Sequence, residues 1–201
     1  MSRLLRFFCH VSFVLAAVGA ATPSTASAQS MGVKGGLQFS TFRFDGATEA
    51  ATTRRPDAVG GVFYLFGNHR VKGQLEGLLG RKGARTKANG SRIDARILYF
   101  EIPLLLRINM VDRPQHSVFI SGGGGLAARW ASSTVTDGVS EDSRVTTKHH
   151  DLEWIVGGGF THDHLIFEGR YTRGLMNVDP TKDAVVKITN DSVSVTAGYQ
   201  F

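Results

Sequence analysis

Lys34, Glu76, Glu101, Arg107, Glu153, Glu168 and Arg170 occupy the polar phase of an alternating sequence, and their types could do chemistry together. Carboxylates facing arginines could form a general acid–base pair, or a path for protons or ions. The same mixture can instead neutralise itself as a structural network of salt bridges and hydrogen bonds, because an unpaired charge inside a protein is costly. The structural network is the expectation. Two carboxylates among arginines are weak evidence for acid–base catalysis, and neither a nucleophile motif nor a serine–histidine–aspartate order accompanies them. No catalytic residue is therefore assigned, no enzyme activity is expected, and no ligand-binding residue can be named.

The histidines suggest a metal, since His149-His150-Asp151 and His162-Asp163-His164 are compact sets of ligand types. A zinc site needs three or four ligands converging in space. The two sets flank a single extended segment and so fall at its opposite ends, which predicts turn and loop roles, with no metal and no cofactor. Glycines 122–125 and 157–159 lack the lysine, serine or following helix of a phosphate cradle. They predict strong curvature and close approach of Trp130, Phe160 and Tyr171. The densest basic run, 81–87, reads as a solvated strand end and loop that could meet anionic lipopolysaccharide. Nucleic acid would require a concentrated basic face with interleaved aromatics, so no nucleic-acid partner is expected.

The elements that must position these residues are strands. At the carboxyl end, Val193, Val195, Ala197, Tyr199 and Phe201 alternate with Ser192, Ser194, Thr196, Gly198 and Gln200, one face suited to lipid and the other to a wet lumen. Seven earlier segments have the same character. About 31–42 sets Val33, Leu37 and Phe39 against Lys34, Gln38 and Ser40; 58–68 is apolar on both faces and leaves its register open. In 71–82, Val71, Leu75 and Leu79 oppose Lys72, Gln74 and Glu76. In 94–109, Leu98, Phe100, Ile102, Leu104, Leu106 and Ile108 oppose Tyr99, Glu101, Pro103, Leu105 and Arg107, and Pro103 predicts a bulge or bend with its ring inward. Segment 117–130 turns Val118, Ile120, Leu126 and Trp130 outward; 151–161 sets Leu152, Trp154, Val156 and Phe160 against Glu153; 165–175 sets Leu165, Phe167 and Tyr171 against Glu168, Arg170 and Thr172.

Arg3 and Arg6, an apolar run over 7–21 and Ala26-Ser27-Ala28 read as a cleavable signal peptide over 1–28. Removing it leaves 201 − 28 = 173 residues, one domain over 29–201, and 6 − 2 = +4 of net charge. The cysteine, Cys9, lies in that leader. Links after the second, fourth and sixth segments are short (68–70, 110–116, 162–164), and the others long and polar (43–57, 83–92, 131–150, 176–189). That alternation belongs to outer-membrane barrels, with periplasmic turns and extracellular loops. The expected fold is all-β: an eight-stranded antiparallel up-and-down transmembrane β-barrel, closed by pairing of the last strand with 33–39.

Gly32-Val33-Lys34-Gly35-Gly36-Leu37-Gln38-Phe39-Ser40, Leu75-Glu76-Gly77-Leu78-Leu79 with Lys82-Gly83, Tyr99-Phe100-Glu101-Ile102-Pro103-Leu104-Leu105-Leu106-Arg107 and Tyr199-Gln200-Phe201 together resemble the PorT-like outer-membrane β-barrel family. The resemblance covers essentially the whole chain after the leader. It implies eight strands and location in the bacterial outer membrane. It also implies that Tyr199 and Phe201 resemble the sorting signal read by the barrel-assembly machinery. The family mostly lacks an assigned activity. The expected role is therefore structural or surface-interacting, exercised by a monomer among outer-membrane lipid and lipopolysaccharide through its long loops. Alternatives are a narrow pore or a transport or secretion accessory, and a soluble lipocalin-like periplasmic barrel with an apolar interior for a hydrophobic ligand.

Overall fold

The structure, a computed structural model, describes residues 29–45, 52–88, 91–113, 115–136, 139–141, 150–176 and 187–201. The expected leader lies outside these residues. The strands are β1 (Ser30–Asp45), β2 (Thr52–Thr53), β3 (Arg55–Gly67), β4 (Val71–Ala88), β5 (Ser91–Asp112), β6 (His116–Thr136), β7 (Val139–Glu141), β8 (His150–His162), β9 (Leu165–Gly174) and β10 (Lys187–Gln200). There is no helix among the described residues. Neighbouring strands pair antiparallel in the order β1-β3-β4-β5-β6-β8-β9-β10, and β10 pairs back onto β1, so eight staves close a barrel. Closure has the expected register: Val33 opposes Tyr199 and Phe39 opposes Val193.

Period-two alternation sets the faces, because successive side chains of a strand point to opposite sides of the sheet. Leu37, Leu79, Leu104, Leu106, Ile120, Leu126, Val156 and Val195 are exposed on the outer surface, whereas Lys34, Gln74, Glu76, Glu101, Arg107, Glu153, Glu168 and Arg170 are buried inside. An apolar outside and a charged inside are opposite to what a soluble ligand-binding barrel needs, which removes the lipocalin-like alternative. On β5 the outward apolar row runs between Leu98 and Ile108, about 34 Å of strand. At a tilt of about 45° this covers about 24 Å along the membrane normal, close to the height of a barrel's lipid-facing band.

Two periplasmic turns are tight. Asp163 takes a positive φ of 51° between β8 and β9, a conformation that aspartate tolerates. Gly67, with φ 119°, precedes the turn closed by Asn68 N donating to Val71 O at 2.9 Å. The β5–β6 link is shorter than the sequence suggested, spanning 113–115.

Three expectations need correction. The link expected as a loop over 83–92 is mostly a hairpin extension, since β4 and β5 remain paired up to Ala88 opposite Ser91; polarity marked where the strands leave the membrane, not where they end. Pro103 points inward but makes no bulge. The β4–β5 ladder omits the pairs at Glu76 and Gly77 and keeps one register on either side, from Leu75↔Leu104 to Leu78↔Glu101. A proline lacks the donor for that ladder, and the chain absorbs the loss without sliding. The register shifts in β5 lie instead at Leu98/Tyr99 and Asn109/Val111. Finally, the glycine runs do not accommodate Trp130, Phe160 or Tyr171. A Cβ on Gly159 would lie 2.8 Å from Phe119 Cζ, and one on Gly125 would lie 3.3 Å from Ile155 Cδ1, so these two make room for interior side chains, while Gly122, Gly123, Gly124 and Gly158 lie nearest to the backbone of the neighbouring strands.

Candidate functional site

The interior is layered. At the periplasmic end Phe63, Leu65, Phe119 and Ile166 form a buried apolar cluster. The sequence did not reveal Phe63 and Leu65 as interior residues because segment 58–68 is apolar on both faces; β3 resolves it, with Val59, Phe63 and Leu65 inward and Val62 and Phe66 outward. Gly32 makes this possible, as a Cβ there would lie 2.4 Å from Phe63 Cζ. Arg107 stacks on the cluster with its guanidinium 3.6 Å from the Phe119 ring centre. Its Nη2 donates to Thr161 Oγ1 at 2.8 Å and its Nε to Asn109 Oδ1 at 3.2 Å. Arg107 thus stays outside the carboxylate network to which the sequence assigned it, making no ion pair among the described residues.

The middle layer brings together four of the expected residues from three strands. Arg170 of β9 grips Glu76 of β4 with two bonds, Nη1 to Oε2 and Nη2 to Oε1, both 2.7 Å. It also donates to Glu168 Oε1 at 2.7 Å. Lys34 of β1 lies 2.6 Å from Glu76 Oε1 and 3.0 Å from Glu168 Oε2. Two cations meet two anions, so the group is self-neutralising, and the forked Arg–carboxylate geometry fixes its orientation.

Toward the extracellular side, Lys82 binds both remaining glutamates: its Nζ lies 2.9 Å from Glu101 Oε1 and also bonds Glu153. It also sits 5.6 Å from the centre of the Tyr99 ring. Lys82 is 1% exposed. It belongs to the basic run 81–87, expected to be a solvated strand end, yet it shares the phase of Lys72, Gln74 and Glu76, and that parity suffices to place it inside. Asp151, read as part of a histidine set, is also buried, and its Oδ1 accepts the Met176 amide at 3.1 Å.

Between the middle and upper layers lies a cavity of about 20 Å³ bordered by Lys34, Gln38, Glu101, Arg170, Thr172 and Thr196, room for about one water. The lumen at this level is packed with side chains.

The histidine sets are dispersed by the fold. His150 is exposed while Asp151 faces inward; His149 lies outside the described residues. At the other end, His162 stacks on His116, whereas His164 stacks on Tyr199 and contacts Gln200 O through Nδ1 at 2.9 Å. No three His, Cys, Asp or Glu side chains among the described residues are placed to hold a metal ion.

Tyr199 and Phe201 face outward at the periplasmic edge with rings 5.6 Å apart, and Phe201 N donates to Met31 O at 2.8 Å. Tyr64 and Phe66 lie near the same edge, while Trp154 and Tyr171 pair 5.3 Å apart toward the other. Aromatic residues thus mark both borders of the apolar band, as membrane interfaces favour.

The fold is shared with a solved protein. The attachment invasion locus protein Ail of Yersinia pestis, in complex with the heparin analogue sucrose octasulfate, is 16% identical, with 86% of this chain and 99% of that chain covered and a TM-score of 0.50. Ail in a second structure (16% identity, 86% and 98% covered, TM-score 0.47) and Neisserial surface protein A (10%, 85% and 97%, 0.49) are also similar. A comparison with curated protein sequences gives no match. The profile described as "Outer membrane protein beta-barrel domain" matches residues 25–179, and with its closed barrel, lipid-facing exterior and charged interior the chain belongs to that outer-membrane β-barrel family.

Proposed function

We propose that this barrel is a non-catalytic surface-interaction protein of the outer membrane, working through its extracellular side while its lumen stays plugged. The observation that carries this reading is the contrast between the two ends. Below, apolar residues, Arg107 and the ion clusters fill the interior. Above the apolar band, β4, β5 and β6 continue as a paired sheet to Ala88, Ser91 and Thr136, widened by β2 against β4 and by β7 against β6. A rigid sheet holds an interaction surface clear of the lipid headgroups at less entropic cost than loose loops would require. The PorT-like resemblance of the Glu101-Ile102-Pro103-Leu104-Leu105 stretch fits a barrel without an assigned activity, and a fold shared with an attachment protein fits the same role. Tyr199 and Phe201 serve biogenesis, as the terminal signal for the barrel-assembly machinery.

The experiment compares cells displaying the full barrel with cells displaying a variant whose β4–β5 and β6–β7 projections are shortened, both checked for surface assembly. Adhesion to host or neighbouring-cell surfaces is expected for the first and lost in the second. Planar-bilayer recordings of the refolded protein are expected to show no unit conductance. Reproducible openings altered by Glu101→Gln or Arg107→Gln would favour the narrow-pore reading instead.

A further inference from the structure

We propose that the periplasmic mouth of the lumen is a binding site for a small soluble oxyanion of the inorganic phosphate type, held by Lys72 and Arg107 with the hydroxyls of Ser117 and Thr161. Lys72 of β4 and Arg107 of β5 lie directly opposite each other in the ladder. Both have the inward phase, Lys72 with Gln74 and Glu76, Arg107 with Glu101 and Leu105. Side chains so paired on one face of an antiparallel sheet have Cβ atoms about 4.5–5.5 Å apart, and like charges in that relation destabilise it. An anion between the two removes the repulsion.

The barrel itself brings no anion into contact with them. Arg107 is 2% exposed, yet its partners are all uncharged: Nε donates to Asn109 Oδ1 at 3.2 Å and Nη2 to Thr161 Oγ1 at 2.8 Å, with Ser117 Oγ 3.5 Å away. Among the described residues its Nη1 has no hydrogen-bond partner, and Lys72 makes neither a hydrogen bond nor an ion pair. The carboxylates at this end are committed elsewhere or stand off. Glu168 is shared between Lys34 and Arg170. Asp112, opposite Ser117 at the end of β5, is exposed and ion-pairs with neither cation. In the adjoining turns, exposed Arg70 and Arg113 outnumber Asp163, which lies 3.8 Å from His162 Nε2. The mouth stays cationic.

The surrounding groups are arranged to donate. Ser117 and Thr161 are buried and oppose each other across β6 and β8; because their oxygens face Arg107 nitrogens, their hydroxyl hydrogens are left for another acceptor. Asn109 Nδ2 donates to His69 O at 2.7 Å, which turns the amide oxygen toward Arg107 Nε. With the Phe119 ring stacked on it, the guanidinium is held in place before any ion arrives, so little ordering cost is added on binding. Guanidinium and ammonium donors form their strongest hydrogen bonds with oxyanions. The site faces the lumen and not the lipid, so a phospholipid headgroup is excluded and the occupant is a soluble ion. Its charge completes the periplasmic plug that the apolar cluster begins.

The test uses the chain from Gln29 refolded into uncharged octyl glucoside micelles, with inorganic phosphate exchanged for chloride at constant ionic strength. Arginine side-chain NMR signals and the urea midpoint are read. Wild type should show a saturable shift of the Arg107 Nε signal, half-complete at about 1 mM phosphate, the affinity expected of two hydrogen bonds to charged groups. Its midpoint should rise over the same range. K72Q should bind at least about tenfold more weakly, and since it removes the like-charge pair, its midpoint without phosphate should equal or exceed that of wild type. R107Q should lose the phosphate-dependent rise, whereas R81Q, which removes a positive charge at the other end of the barrel, should keep it. If R107Q does not fold, wild type and K72Q decide. An unsaturable or absent shift in wild type, binding by K72Q as tight as by wild type, a rise that survives in folded R107Q, or a K72Q midpoint below that of wild type without phosphate would overturn the proposal.

Discussion

Lys82 and Arg81 are adjacent in sequence and have opposite environments: Lys82 is buried against two glutamates, whereas Arg81 faces outward. Removing one partner of a buried charge cluster leaves the others uncompensated, at about 3–5 kcal/mol. Lys82→Met is therefore expected to destabilise the refolded barrel by about that amount, read from the urea midpoint in micelles, whereas Arg81→Met should change it by less than about 1 kcal/mol. Equal losses would mean that the upper carboxylates do not depend on Lys82. The pairings themselves were not legible in the sequence. Glu76, Arg170 and Lys34 are separated by 94 and 42 positions from one another's contacts, and only closure of the sheet decides which charges share a layer. Arg107 illustrates this: its phase placed it inside, but its position along β5 put it beside Phe119 and the hydroxyls instead of a carboxylate.

At the scale of the element, each strand needs alternation, a compatible neighbour and space. Gly159 of β8 supplies space, since a Cβ there would lie 2.0 Å from Phe167 O and 2.8 Å from the Phe119 ring. Gly159→Ala should cost about 1–3 kcal/mol through overpacking, seen as an earlier unfolding midpoint; an unchanged midpoint would show that both the β9 backbone at Phe167 and the Phe119 ring can move aside. The closing strand makes a different prediction. Phe201 lies outward, packs edge-on to Tyr199 and ties β1 through its amide to Met31. Deleting it is expected to reduce the folded, heat-modifiable fraction in the outer membrane without altering ligand binding by the fraction that does assemble. Normal assembly of the deletion would count against the proposed part of Phe201 in assembly. The strand pattern announced these elements well because period two is a local property, but Pro103 shows its limit: the sequence reveals the missing donor, and the neighbouring strand determines whether a bulge or a skipped pair results.

For the whole molecule, the decisive property is which side of the sheet meets lipid. Leu104 is 56% exposed near the middle of the outward row on β5, while Leu105 beside it is 2% exposed inside. Leu104→Lys should cost about 2–4 kcal/mol when the barrel is embedded in bilayers, the depth-dependent penalty for a lysine at the midplane. The loss should shrink in a swollen, water-rich micelle interface; no loss in bilayers would place the apolar row outside hydrocarbon. From sequence alone, the number of staves, the phase of all of them but β3, short turns on one side and a charged lumen were determined, because alternation and turn chemistry are written in consecutive residues. The tertiary structure alone decided the self-neutral cluster of Lys34, Glu76, Glu168 and Arg170, the separate place of Arg107 and the pairing of Lys82 with Glu101 and Glu153. Each of these depends on register and on strands meeting around a closed circle, and two residues more than a hundred positions apart become partners only when that circle closes.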